Sequence, residues 1–329
     1  MSRHRHLVLT PVAARIQPAL SAPLAVRLDA ALAAALPSLL RAEHAAVAHI
    51  AQLLDAVAQQ PGPADLRALE LGLAGLKNRL RQRACAGKPG LRAIAWLDRA
   101  LASERAEIMD AAWAPRWLHT AEMRWLDKLN RDLDNYQRWQ DLVLAAVADV
   151  PDARIEDVAA GAAGFLLWLA EHSPRRDLHL TASDYSADYV ALGQDAARRA
   201  SPTALPLAVV QRDATQLAQL AGQVDLIVST QATHHMSAGL VARLLHQGLR
   251  AAHHGVLLID VLRSFGGLLA ASVGTHLSTP APPLVIDAMQ SVRRGFLPTE
   301  LALLAYVAGA SEVRAEAHGP AYAVLRARR

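Results

Sequence analysis

The hydrophobic rhythm of the chain changes once, near residue 150. Before that point apolar residues return at helical spacing. Ala25–Leu40 carries them every three or four positions and Ala42–Ala58 does so again, until Gln59-Gln60-Pro61-Gly62-Pro63 breaks the run. Asp65 is placed to cap a helix reaching about Ala84, Gly87-Lys88-Pro89-Gly90 interrupts, and Leu91–Ala112 reads as the next helix. Ala114-Pro115 is another break, followed by a long helical segment over Thr120–Ala148. No strand-like alternation occurs in this half.

From Ile155 onward short apolar runs alternate with helical stretches of about a dozen residues, the pattern of βαβ units around a parallel sheet. It predicts strands at Arg154–Val158, Asp177–Ala182, Leu205–Gln211, Val224–Thr230 and Gly255–Val261, with two more at Ala310–Ala317 and Ala321–Arg326. Helices are predicted over 164–172, 186–200, 214–221, 237–252, 263–276 and 298–309. The last two strands are close enough in sequence to form an antiparallel hairpin. The expected fold is α/β: a Rossmann-like, seven-stranded, mostly parallel sheet in residues 149–329, preceded by an all-helical domain in residues 1–148.

Composition narrows the picture. With 53% hydrophobic and 4% aromatic residues, the core must be built from Ala, Leu and Val. A formal charge of +4 is too mild to argue for nucleic acid. The single cysteine, Cys85, excludes an internal disulfide and a cysteine-based metal site. The start, MSRHRHLVLTPVAAR, lacks an apolar run long enough for a signal peptide, and no stretch is apolar enough to cross a membrane, so a cytoplasmic protein is expected. His4 and His6 read as a tail rather than ligands, and His253-His254 suit a helix end.

Chemistry gathers at the predicted strand ends. Strand one runs into Ala159-Ala160-Gly161-Ala162-Ala163-Gly164, a small-residue turn before a helix, where backbone N–H groups can face an anion. Strand two ends at Asp184, about 20 residues on, placed to hold ribose hydroxyls. Strand three is followed by Arg212-Asp213-Ala214, and strand four by Thr230-Gln231-Ala232-Thr233-His234-His235. Each feature has a plainer explanation: Asp184 or Ser186 as a helix cap, Asp213 as a cap, the histidines as structural. Their shared edge and order favour a ligand site.

The series IEDVAAGAAG, LTASDYSADYV, QRDATQLA, VDLIVSTQATHHMS and GVLLIDVLRS resembles class I S-adenosylmethionine-dependent methyltransferases over about residues 150–329. The stretch SVRRGFLPTEL and Ala308-Gly309-Ala310 resemble the tail of bacterial small-molecule methyltransferases, and Leu129-Asn130 with Tyr136 resemble the helix leading into the first strand. The resemblance implies S-adenosylmethionine as cofactor. It sets Ala159, Gly161 and Ala163 against the methionine part, Asp184 on the ribose, and Tyr185 beside the adenine. Asp213 and Ala214 would take the adenine edge, and Thr230 and Gln231 would lie near the sulfonium. His234 or His235 would face the acceptor, either able to serve as base, and no metal is required. The implied acceptor is a small molecule, methylated on O or N in specialised metabolism. The family usually has glycine at the positions of Ala159 and Ala163. Alanine there is tolerated at negative φ, and otherwise points to a weakened cofactor site.

The helical half is the expected lid, acceptor wall or homodimer contact. Asn130 and Tyr136 are the polar candidates, and Trp113, Trp117, Trp125 and Trp139 are a candidate aromatic wall, with core packing as the alternative. The basic run Lys77–Arg83 is a solvated face, or a docking face for an acidic peptide or RNA. A degenerate, non-enzymatic scaffold is the remaining alternative.

Overall fold

The computed structural model describes residues 22–59, 62–111, 113–279, 281–319 and 321–329. His4, His6 and part of the break at 59–63 lie outside them. Among the described residues twelve α-helices and seven strands form. The first six helices are α1 (Ala22–Ala42), α2 (His44–Gln59), α3 (Pro63–Cys85), α4 (Pro89–Leu101), α5 (Arg116–Asp132) and α6 (Asn135–Ala146). Then follow β1 (Arg154–Val158), α7 (Gly164–His172), β2 (His179–Asp184), α8 (Ala187–Arg198), β3 (Leu207–Gln211) and β4 (Leu226–Thr230). The chain continues through α9 (Ala238–Ala251), β5 (Val256–Val261), α10 (Phe265–Ser278), α11 (Pro282–Arg294), α12 (Pro298–Val307), β6 (Glu312–His318) and β7 (Tyr322–Arg328). No described helix is long and apolar enough to cross a membrane.

The sheet order is β3-β2-β1-β4-β5-β7-β6, with β1 to β5 parallel and β7 antiparallel to both neighbours. The order reverses between β1 and β4, which opens a crevice at their carboxyl ends. Successive side chains point to opposite faces. Ile227, Val256, Leu258, Ala323 and Leu325 therefore join one apolar cluster, and Leu226, Val228, Leu257, Ile259 and Val324 the other. The first cluster takes in Leu28, Leu32, Leu54, Leu76 and Ile94 of α1–α4 together with α9 and α12. The second takes in Tyr136, Trp139 and Val143 of α6 together with α7. Both cores thus run across residue 148.

Polar contacts fix the register of the helical half. Asp29 of α1 accepts the Thr299 amide (2.8 Å) at the start of α12, and Glu70 of α3 accepts the Gly239 amide (3.0 Å) at the start of α9. Each carboxylate satisfies an otherwise orphan helix N-terminus. At the end of β5, the buried Arg263 is held by Asp98 (2.9 Å) from α4 and Glu300 (2.8 Å) from α12, and it donates to the Gly295 carbonyl. Arg81 of α3 pairs with the same two acids, at 2.7 and 2.8 Å.

Three sequence expectations fail, each for a tertiary reason. The helix expected over Leu91–Ala112 stops at Leu101, because residues 102–110 dock on α11, an unpredicted helix. Asp287 of α11 accepts the amides of Ile108 (2.7 Å) and Met109 (3.1 Å), and Arg293 donates to the Leu101 carbonyl. The long segment over 120–148 is two helices, turned at Asp134, whose φ of 54° is left-handed. The helix expected over 214–221 is only a short 3-10 turn at Ala218–Leu220: Asp213 binds the Thr215 amide and Gln247 the Leu217 amide.

Replacing Arg263 by Met removes the more buried of the two guanidiniums that Asp98 and Glu300 share. The expected loss is about 3–5 kcal/mol of stability, read by urea unfolding. A loss below about 1 kcal/mol would show the network to be dispensable.

Candidate cofactor and acceptor site

The crevice is built from the carboxyl ends of β1, β2 and β4. Past β1, Ala159 and Ala163 have φ of 54° and 63°, and Gly161 between them 54°. The negative-φ condition for alanine is thus not met. Each alanine sits in a left-handed conformation that costs an L-residue about 1–2 kcal/mol. The loop is held in that shape: Ala160 donates to the Ser183 carbonyl (3.0 Å) and Ala163 to the Ala160 carbonyl (2.9 Å).

Asp184 closes the loop onto β2. One carboxylate oxygen accepts the Gly161 amide and the other the Ser186 amide, both at 2.9 Å. Burial pushes its carboxyl up against those two donors. The cap of α8 is Ser186, which accepts from Tyr189, so Asp184 is free of that duty. Tyr185 beside it is 73% exposed. Asp213 spends its oxygens locally on the Thr215 amide and hydroxyl (2.8 Å each) and on Gln216 (3.1 Å), with Ala214 buried next to it.

At the end of β4, Thr230 donates to Asp157 (3.1 Å), and Gln231 turns with a φ of 52°. Asp157 is buried, its second oxygen has no hydrogen-bond partner, and burial pushes it up to about 8, helped by Asp184 and Glu156. His234 is buried and its Nδ1 lies 2.6 Å from Asp260 at the end of β5. Asp260 also accepts the His234 amide (2.7 Å) and the Thr233 hydroxyl, and burial notwithstanding, the neighbouring imidazole holds it below the usual carboxylate range. His234 Nε2 faces Glu107 at 3.5 Å. His235 is half-buried, with Nδ1 3.0 Å from Asp110 and Nε2 3.9 Å from Glu107.

The helical half lies over this edge. Met123 of α5 is the atom a Cβ on Gly161 would meet, at 3.2 Å. Asn130 donates to Gln231 (2.8 Å) and accepts from Asn135 (3.0 Å). The Tyr136 hydroxyl donates to Asp127 (3.1 Å) and sits where a Cβ on Gly164 would come within 2.7 Å. Trp139 does not reach the crevice: it packs edge-on against Tyr136, Phe165 and Tyr322 in the core, so a substrate role is corrected to packing. Nor do the tryptophans form one wall: Trp113 and Trp117 are exposed, and Trp125 bonds Ser278 of α10.

Residues 155–255 match the family model described as a methyltransferase domain. That stretch is a methyltransferase domain. No curated protein matches it in sequence. Among solved structures, a SAM-dependent methyltransferase from Aquifex aeolicus is 16% identical over 57% of this chain and 88% of its own, with a TM-score of 0.40. Magnesium protoporphyrin IX methyltransferase of Synechocystis PCC 6803 is 16% identical over 60% and 85%, with a TM-score of 0.41. The plantazolicin methyltransferase BpumL is 13% identical over 81% and 98%, with a TM-score of 0.46.

The crevice thus presents a carboxylate at the tip of β2 and, at Gly161, a bare backbone against which Met123 rests. Asp260, Glu107 and Glu122 went unnoticed in sequence. Asp260 is a strand-end acid and could have been read from that position. Glu107 sits in an unpredicted loop and Glu122 mid-helix, so neither carries a local signal. Burial pushes Glu107 up to about 7 and Glu122 up to about 9.

Asp157 predicts a pH dependence. Its folded pKa of about 8 lies above its ordinary value of 3.8, so the folded state holds the proton longer than the unfolded chain. Stability contributed by this group is full below pH ~4 and declines as pH rises towards ~8. Asp157→Asn is expected to flatten that decline in urea titrations. An unchanged slope would show that Asp157 does not titrate in that window.

Proposed function

We propose that the protein transfers a methyl group from S-adenosylmethionine to a small-molecule O- or N-acceptor, in a step of specialised metabolism. The observation that carries the acceptor side is the buried His234. Asp260 holds its Nδ1, and Nε2 is turned towards the helical half, where Glu107 lies 3.5 Å away. In this reading residues 149–329 supply the cofactor half, and the preceding helices cover the acceptor.

When bound, the cofactor supplies a sulfonium methyl group open to in-line displacement. The chain's own part is alignment and proton handling. Asp184 takes the ribose hydroxyls and Tyr185 flanks the adenine. Asp213 and Ala214 border the adenine edge, and Ala159, Gly161 and Ala163 line the methionine side. Thr230 and Gln231 lie towards the sulfur, with Gln231 steadied by Asn130. His234 accepts the acceptor's proton on Nε2 as the new bond to carbon forms, and Asp260 stabilises the resulting imidazolium. His235, held by Asp110, borders the same space. Tyr136 acts through Asp127 as support for α5.

The peptide- or RNA-docking alternative rested on the basic run of α3. In that run Lys77 and Arg81 pair with the buried Glu300, and the partly exposed Arg79 and Arg83 lie beside Glu43. The scaffold alternative rests on the left-handed alanines, and substitution separates it from an active enzyme. By calorimetry, Asp184→Ala is expected to weaken S-adenosylhomocysteine binding at least tenfold, about 1.4 kcal/mol. His234→Ala should keep that affinity within about twofold while losing at least about a hundredfold in methyl transfer to phenol and amine panels. Absence of binding to the wild type at millimolar ligand would overturn the reading. So would Ala159→Gly with Ala163→Gly creating an affinity that the wild type lacks, in favour of the scaffold.

A further inference from the structure

Below the two histidines, three carboxylates converge from three elements: Glu107 from the loop after α4, Glu122 from α5 and Asp287 from α11. One ligand atom of each lies within 4.8 Å of those of the other two. All three are buried, with Glu122 at 3% exposure and Asp287 at 0%. Their partners are known. Asp287 accepts the amides of Ile108 and Met109, one on each oxygen, and Glu107 accepts the Ser291 hydroxyl (2.8 Å). Glu107 also faces the Nε2 atoms of His234 and His235. No arginine or lysine pairs with the three acids among the described residues. Glu122 Oε2 is buried and has no hydrogen-bond partner.

Three carboxyls packed this closely and away from water are costly to ionise together, and the only basic neighbours among the described residues are the two histidines beside Glu107. Hydrogen bonds among themselves do not resolve it, since Glu122 Oε2 is left over. Each Asp287 oxygen keeps one lone pair beyond its amide bond, and Glu107 keeps more. We propose that Glu107, Glu122 and Asp287 bind a hard divalent cation, Mg²⁺ or Mn²⁺. An all-oxygen donor set selects those ions over zinc or copper, and octahedral Mg²⁺ keeps waters in its remaining positions. The ion ties the loop after α4, α5 and α11 together directly beneath His234.

The site is tested apart from methyl transfer, because the probe is the metal alone. The full chain is stripped with chelator and titrated with MnCl₂. Electron paramagnetic resonance is expected to show one bound Mn²⁺ per chain, and the melting temperature should rise at millimolar metal. Glu122→Gln keeps the side-chain shape. It is expected to weaken Mn²⁺ binding at least tenfold, while melting in chelator at or above the wild-type temperature, since a buried acid has been removed. Mn²⁺ release from wild type that matches a metal-free blank would overturn the proposal, as would equal binding by Glu122→Gln. A larger melting shift from methylammonium than from Mn²⁺ would overturn it too, and would mark the cluster as a seat for an amine.

Discussion

The burial of Arg263 between Asp98 and Glu300 sets the geometry on which the site depends. A guanidinium without water is tolerated only when its partners hold it in fixed positions. Those partners belong to α4 and α12, and Arg81 of α3 shares both. The helical half is thereby locked to the carboxyl end of β5, the strand that also carries Asp260. From that anchor the chain leaves α4 and is stitched along α11 by Asp287, Gln290 and Arg293. The result is that Glu107 arrives 3.5 Å from His234. A salt-bridge network on one side of the sheet thus decides what faces the reactive edge.

The sheet edge itself is a compromise between strain and closure. Ala159 and Ala163 hold left-handed conformations that glycine would adopt freely, yet the loop stays shaped because Asp184 and the Ser183 carbonyl grip it from β2. Sulfur from Met123 rests where Gly161 has no side chain. The same helix, α5, supplies Asn130 to Gln231 and Glu122 to the buried acids. One helix therefore touches the loop after β1, the turn after β4 and the carboxylate cluster at once.

Much of this was legible from period alone. β1 and α7 fall where the sequence places them, and the antiparallel hairpin of β6 and β7 follows from two short apolar runs close together. The strand-end residues Asp184, Thr230, Gln231 and His234 were legible too, because a doubly wound sheet brings strand ends to one edge. What stayed hidden depends on contacts distant in sequence. Residues 102–110 look helical until α11 supplies other partners for their amides, and Pro282-Pro283 masks α11 itself. Glu107 and Glu122 are ordinary acids in alanine-rich sequence; only folding sets them side by side. Trp139 misled because aromatic density does not say which face of a helix turns inward.

The central claim is that cofactor loops and helical cover form one ligand site. Hydrogen–deuterium exchange with and without S-adenosylhomocysteine tests it most directly. The account predicts slower exchange at residues 159–164 and 184–186 together with 116–132 of α5. Protection confined to the sheet edge, with α5 unchanged, would contradict it.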